Sequence, residues 1–175
     1  METTEIKFNP DSKKDIQAEI FNPTSQQWNN IKDRIWELLK INVDPLGVPL
    51  ENNPHFTPGK LQEFFEDPAT VAVILKEAEK ILGFSFAVPA GYEPSGKTAY
   101  IYTTKIDPEY HHRGLVGVIM NVMEAELKKR QYQYITRDAR VSNGYADKIA
   151  KHYAGRIVEQ RAHNSSYGEQ VFFKI

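Results

Sequence analysis

Between Thr98 and Leu127 the sequence reads as a strand, a tight turn and a helix, and this segment constrains the fold more than any other. Ala99 to Ile106 is rich in β-formers, with Tyr100, Tyr102, Thr104 and Ile106 alternating on one predicted face. The turn holds His111, His112, Arg113 and Gly114, with Gly117 just inside the helix that follows. That helix is strongly apolar on one side. A strand that feeds a basic, glycine-containing turn at a helix N-terminus makes an anion site, because free backbone N–H groups and the positive end of the helix dipole meet there.

The flanking sequence supplies the rest of a sheet. Ile16 to Phe21 alternates as a strand. Thr24 and Gln27 form a capping-box pattern, opening a helix that aligns Trp28, Ile31, Ile35 and Leu38 and ends near Lys40. Pro45, Pro49, Pro54 and Pro58 make 41–59 a loop, and a short helix spans Gly59 to Glu66. Thr70 to Leu75 and Ile81 to Val88 read as a hairpin about the charged turn Lys76 to Lys80. Gly91 to Lys97 turns into the central strand. Beyond the apolar helix, Tyr132 to Arg137 is a strand. Ser142 or Asn143 caps a helix carrying Ala146, Ile149, Ala150 and Tyr153, which Gly155 ends. Ile157 to Gln160 and Gln170 to Ile175 close the chain about an Asn164–Gly168 turn. The order β, α, α, β, β, β, α, β, α, β, β predicts an α/β sheet of mixed direction. Residues 1–15 read as an arm or an extra strand around Ile6 and Phe8, and 16–175 as one domain.

Composition narrows the function classes. Lys+Arg at 22 against Asp+Glu at 23 leaves a net charge of −1, which gives no global attraction to nucleic acid or an anionic membrane. There is no cysteine, which excludes disulfides, thiolate metal sites and a cysteine nucleophile. Met1 to Phe8 lacks the basic-then-apolar order of a signal peptide, and no apolar run approaches transmembrane length. A soluble cytoplasmic protein is the expectation.

The element order and the segment Ile106-Asp-Pro-Glu-Tyr-His111-His-Arg-Gly-Leu-Val116 resemble the GNAT superfamily of acyl-CoA-dependent N-acyltransferases. The family pattern at the turn is Gln/Arg-x-x-Gly-x-Gly/Ala. Here His111 stands in the Gln/Arg place, Gly114 in the Gly place and Val116 where Gly or Ala is usual. Asn143-x-x-Ala146-x-x-Ile149 is similar to a later helix motif, and Lys80-Ile-Leu-Gly83-Phe to the turn into the third strand. The likeness runs from about Ile16 to Ile175. It implies a central mixed, mostly antiparallel sheet flanked by about four helices, with acetyl-CoA as co-substrate and no metal. The expected activity is transfer of acetyl to a primary amine by direct attack, and the acceptor is a small molecule or a peptide. Sheet-edge pairing into a homodimer is common in the superfamily.

By the same resemblance Ile106, His111, His112, Arg113, Gly114, Leu115, Val116, Gly117 and Asn143 would bind the cofactor, with the N–H groups from about His112 to Gly117 cradling its pyrophosphate. Thr104 would lie near the thioester. The family often places a basic carboxylate on this strand, and here Tyr102, Thr103 and Thr104 stand there instead. Its usual thiolate acid is a tyrosine seven residues after the Asn, a place held here by Ala150. Tyr153 is three residues further, about 4.5 Å along the axis, and is either a displaced acid or a core tyrosine. Tyr145 is a weaker alternative. A catalytically impaired CoA-binding or protein-interaction module with this fold is the second reading. His111 and His112 are adjacent on a turn and lack the spacing of metal ligands. Trp28 reads as core and Trp36 as a cleft residue. Phe56, Phe64 and Phe65 form either a lid or ordinary packing. Lys128 to Arg130 reads as a cluster favoured by the helix dipole.

Overall fold

One pairing in the sheet differs from all the others. A computed structural model describes residues 16–21, 25–41, 57–90, 97–139, 145–162 and 169–175. In chain order these form β1 (Ile16–Ile20), α1 (Ser25–Ile41), α2 (Pro58–Glu66), β2 (Val71–Glu77), β3 (Lys80–Pro89), β4 (Thr98–Ile106), a 3-10 turn (Pro108–Tyr110), α3 (Leu115–Lys129), β5 (Tyr134–Ala139), α4 (Tyr145–His152), β6 (Ile157–Ala162) and β7 (Glu169–Lys174). The predicted order and the predicted mixed α/β class are both found. The strands lie in the order β1-β2-β3-β4-β5-β7-β6. Every neighbouring pair is antiparallel except β4 and β5. That parallel ladder covers only Thr98–Tyr100 against Tyr134–Thr136. Beyond it both strands continue unpaired with each other, so they part and leave a wedge at their C-terminal ends.

Two apolar layers hold the helices. α3 and α4 cover one face, where Leu82, Ala99, Ile101, Ile106, Ile119, Met123, Ile149 and Tyr153 form a core. α1 and α2 cover the other, over Ile74, Phe84 and Phe86. In α1 the predicted stripe buries Trp28, Ile35 and Leu38, and Trp28 stacks on Phe65 of α2 with centroids 4.9 Å apart. Burial of Ile35 and Leu38 is worth about 2 kcal/mol each. α2 begins one residue earlier than expected, because the Thr57 hydroxyl accepts the Lys60 N–H and Pro58 takes the first helical position. Arg130, read above as part of a dipole-favoured cluster, staples the end of α3 to the α2–β2 connection. Its Nη1 donates to the carbonyls of Pro68 (2.9 Å) and Thr70 (3.2 Å).

Two strand readings are corrected. The β2–β3 turn is only Ala78-Glu79, so Lys76, Glu77 and Lys80 are strand residues. Ala78 adopts φ 52° there, a turn geometry reached without the glycine that would have marked it. The single face predicted for Tyr100, Tyr102, Thr104 and Ile106 does not exist. Ser85 pairs with Thr104, Phe86 with Thr103 and Ala87 with Ile101, so Tyr102 is an extra residue in a β-bulge. Ahead of the bulge Ala99 and Ile101 face α3, while Tyr102 joins the α1/α2 layer. Past it the alternation is inverted, and Ile106 faces α3. The predicted arm at 1–15, the Thr24 cap, Phe56, most of the 41–59 loop, Ser142 and Asn143 and the 164–168 turn lie outside the described residues. Among those described, no helix is long and apolar enough to cross a membrane.

Candidate functional site

The end of β4 is clamped before the chain turns. Gly83 pairs with Ile106, and a Cβ on Gly83 would lie 2.6 Å from both the Ile106 Cδ1 and the Lys105 carbonyl oxygen. Only glycine lets β3 approach this closely. Asp107 follows, buried, with its N–H donating to the Leu82 carbonyl at 2.7 Å. Its carboxylate accepts the Glu109 N–H at 3.1 Å and the Arg34 Nη2 at 2.5 Å, with Lys80 Nζ at 3.9 Å. Burial alone would push this carboxyl up. The Glu109 N–H, Arg34 and Lys80 outweigh burial and hold it below the ordinary carboxylate range. Arg34 also donates from Nε to the Ile81 carbonyl at 3.1 Å, so α1, β3 and the turn are tied together. Tyr110 completes the clamp. Its hydroxyl donates to Glu77 at 3.1 Å, and its ring receives Lys80 and the Arg113 guanidinium at 4.9 and 4.8 Å.

The turn itself is strained and open. His112 and Gly114 have φ of 64° and 73°, in the left-handed region where a glycine is at ease and a histidine is uncommon. His111 folds back so that Nε2 lies 3.0 Å from the Ile106 carbonyl. A carbonyl only accepts, so that nitrogen carries the proton. Gly114 caps α3 without a side-chain hydrogen bond. The Gly117 N–H donates to the Gly114 carbonyl at 2.9 Å and is taken up inside the helix. Among the described residues no acceptor meets the N–H groups of Leu115 or Val116, which therefore face outward at the positive end of α3.

These groups border a cavity of about 610 Å³. Of the residues predicted from sequence, Thr104, Ile106, His111, His112, Gly114, Leu115 and Val116 line it. Lys105, Tyr110 and Lys148 line it as well and were missed. Lys148 comes from α4, and its only sequence signal is a basic residue beside the apolar side of that helix. Arg113 does not line the cavity: it turns onto Tyr110 and donates to the Glu109 carbonyl at 3.3 Å. Gly117 and Tyr153 are also not in the lining. Tyr153 is 2% exposed in the α3-side core, with the Arg156 guanidinium 4.8 Å and the His152 ring 4.6 Å from it. Asn143 is outside the described residues. Among the described residues the lining has two lysines, two histidines and no carboxylate, so it suits an anion.

The opposite side of β4 has different chemistry. Bulged Tyr102 meets Phe64 at 4.7 Å, Phe86 at 5.2 Å and Tyr100 edge-on at 6.0 Å. Phe64 thus packs beside the bulge, while Phe65 is core. Trp36 is half-buried against the α1/α2 layer, with Lys40 Nζ 5.7 Å from its ring. The Tyr100 hydroxyl donates to Asp138 of β5 at 2.8 Å, across the wedge.

Comparison with known proteins agrees with this architecture. The model of the acetyltransferase (GNAT) family matches residues 28–155. No curated protein matches the sequence. Among solved structures, the GNAT domain of S. lividans PAT superposes with a TM-score of 0.67 at 10% identity, over 91% of this chain and 90% of that one. The PaiA N-acetyltransferase from Thermoplasma acidophilum, in complex with coenzyme A, gives 0.63 at 11% identity over 90% and 99%. An aminoglycoside 6'-N-acetyltransferase complexed with coenzyme A gives 0.62 at 16% identity over 90% and 95%. These likenesses are likenesses of fold.

Proposed function

Because the chain belongs to the GNAT acetyltransferase family, we propose that it moves an acetyl group from acetyl-CoA to a primary amine by direct transfer. The observation that carries this reading is the cavity between the end of β4 and the start of α3. It gathers two lysines, two histidines and the open N–H groups of Leu115 and Val116 around one space, with no carboxylate among the described residues. The phosphorylated end of CoA is a polyanion and matches that lining. In this reading the two N–H groups, His112 and Lys148 hold the pyrophosphate, and Gly114 lets the backbone come close to it. His111 fixes the Ile106 carbonyl, and the β4 edge from Thr104 to Ile106 accompanies the thioester arm toward the wedge. When bound, acetyl-CoA supplies the activated acyl group. With no cysteine in the chain, the acetyl group passes to the amine without a cysteine-bound stage. Tyr153 serves the core, and the leaving thiolate takes its proton from water or from the attacking amine. A cytoplasmic setting and a homodimer formed along an edge strand, β1 or β6, belong to the same proposal.

Two measurements test it. Calorimetry with acetyl-CoA should show micromolar binding, and no heat at millimolar ligand ends the reading. Thiol release is then followed across a panel of primary amines, free of protein background because the chain has no thiol of its own. Amine-dependent release is the expected result. Slow thioester hydrolysis with no amine dependence would make the protein a CoA-binding module instead.

A further inference from the structure

One hydroxyl on the cavity wall has its proton already committed. Ser85 of β3 is fully buried and stands opposite Thr104 in the β3–β4 ladder. Its Oγ lies 2.9 Å from the Thr103 carbonyl oxygen and 2.9 Å from the Thr104 Oγ1. A hydroxyl has a single proton, and a carbonyl only accepts. The Ser85 proton therefore goes to the Thr103 carbonyl. Ser85 Oγ is left as an acceptor toward Thr104, so the Thr104 proton points back at β3. The reverse assignment would set the Ser85 and Thr103 oxygens lone pair against lone pair at 2.9 Å, in a place closed to water.

The consequence falls on the cavity side. Thr104 is half-buried and lines the cavity, whereas Ser85 is inside the sheet. With its proton turned toward β3, the Thr104 oxygen offers lone pairs only. It accepts from a ligand and cannot donate to one. Other parts of the wall have the opposite character: Lys105, Lys148 and the open N–H groups of Leu115 and Val116 are donors. The cavity thus has a donor end at the start of α3 and a fixed acceptor on β4. A phosphate suits the first and not the second. A ligand that meets both carries an anion and, further along, a hydrogen-bond donor. CoA has this order, because the arm between its pyrophosphate and its sulfur bears secondary amides and a hydroxyl.

We propose that Ser85 locks Thr104 as a hydrogen-bond acceptor, and that Thr104 receives a donor, amide N–H or hydroxyl, on the arm of the cofactor. The assignment rests on the acetyl-CoA reading above. It makes Thr104 a binding residue for the arm, and Ser85, which is sealed from the cavity, a positioning residue. It also separates Thr104 from the chemistry, since a hydroxyl whose proton is held by Ser85 has none to give a developing oxyanion.

The test is calorimetry with CoA and with its phospho-ADP half, which keeps the phosphates and lacks the arm. Thr104→Val keeps the shape of the side chain and removes the acceptor. Its CoA affinity should fall about five-fold, the usual effect of losing one hydrogen bond, while its phospho-ADP affinity stays as in wild type. Thr104→Ser should recover most of the CoA affinity. Ser85→Ala should weaken CoA in the wild-type background and change nothing in the Thr104→Val background, because Ser85 acts through that hydroxyl. In turnover the acetyl-CoA KM should rise in Thr104→Val with little change in kcat. Unchanged CoA affinity in Thr104→Val overturns the proposal, and so does an equal loss for phospho-ADP. A fall in kcat at unchanged KM overturns it too, since that is the sign of an oxyanion donor. An equal Ser85→Ala effect in both backgrounds removes the positioning role. A wild type that binds neither ligand sinks the acetyl-CoA reading itself, whereas wild-type CoA binding that Thr104→Val leaves intact sinks this assignment alone.

Discussion

On the α3 side of β4 the functional groups are basic and come from one stretch of chain, Thr104 to Val116, with Lys148 added from α4. On the α1/α2 side they are aromatic and acidic, and they come from α2, β3, β4 and β5 in turn. The first half is built by local geometry: a strand end, two left-handed residues and a helix N-terminus. The second exists only after the sheet has formed, because it depends on a bulge and on two strands that part. A half-site for an anion can be carried on one segment, since backbone N–H groups do much of the binding. The aromatic and acidic side needs side chains from several elements.

Substitutions can separate the halves, and the largest effect should come where both depend on the same contact. Gly83→Ala puts a Cβ 2.6 Å from the Lys105 carbonyl oxygen, and backbone cannot move aside as a flexible side chain can. The β4 end must shift, at about 3 kcal/mol of stability. Urea unfolding should show that loss, and both CoA and amine binding should weaken together. Gly114→Val comes next and should touch one half only. A Cβ there meets open space, so the penalty is the positive φ, about 2 kcal/mol for a β-branched residue. If relief moves the Leu115 and Val116 N–H groups out of place, CoA affinity falls about thirty-fold. Amine binding should be unchanged, and a parallel loss would mean that the halves are one site. Lys148→Ala should weaken CoA about five-fold, because an exposed cation contributes about 1 kcal/mol. That difference should shrink as salt is raised, and a salt-independent effect would mean that Lys148 packs rather than attracts.

The same contrast explains what could be read from sequence. All eleven helices and strands of the predicted order are present, because each carries its period within its own residues. The segment from Thr104 to Val116 was legible for the same reason, and seven of its predicted residues line the cavity. Tyr102 was misread, since a bulge is a property of two strands in register and leaves no mark on either alone. Lys148 reaches the cavity only because α4 docks near the start of α3. Asp138 fell one residue beyond the predicted end of β5, and its bond is to Tyr100, 38 residues away. Arg113, expected beside the phosphates by charge and place, lies on the ring of Tyr110 in this structure, a contact that charge and place alone do not reveal.

The smallest effect concerns the link between the halves. Arg34 on α1 and Asp107 in the turn join the helix on the aromatic side of β4 to the loop that borders the basic cavity. Asp107 is held ionised below its ordinary range, so the folded state binds its proton less readily than the unfolded chain does. Its stabilisation is therefore fully present above about pH 4, the unfolded value, and is lost as pH falls through the lower folded value. The contribution should be about 1 kcal/mol, reduced because Arg34 is partly exposed. Thermal midpoints measured from pH 6 downward should fall more steeply below pH 4 in wild type than in Asp107→Asn, and the two curves should converge in acid. Parallel curves would show that the pair adds nothing as an ion pair. At neutral pH Asp107→Asn should leave CoA and amine affinities near wild type, since the Gly83 contact and the Tyr110–Glu77 bond still hold the β4 end and the turn. A loss of both affinities in Asp107→Asn, without unfolding, would instead make this pair the coupling element between the two faces.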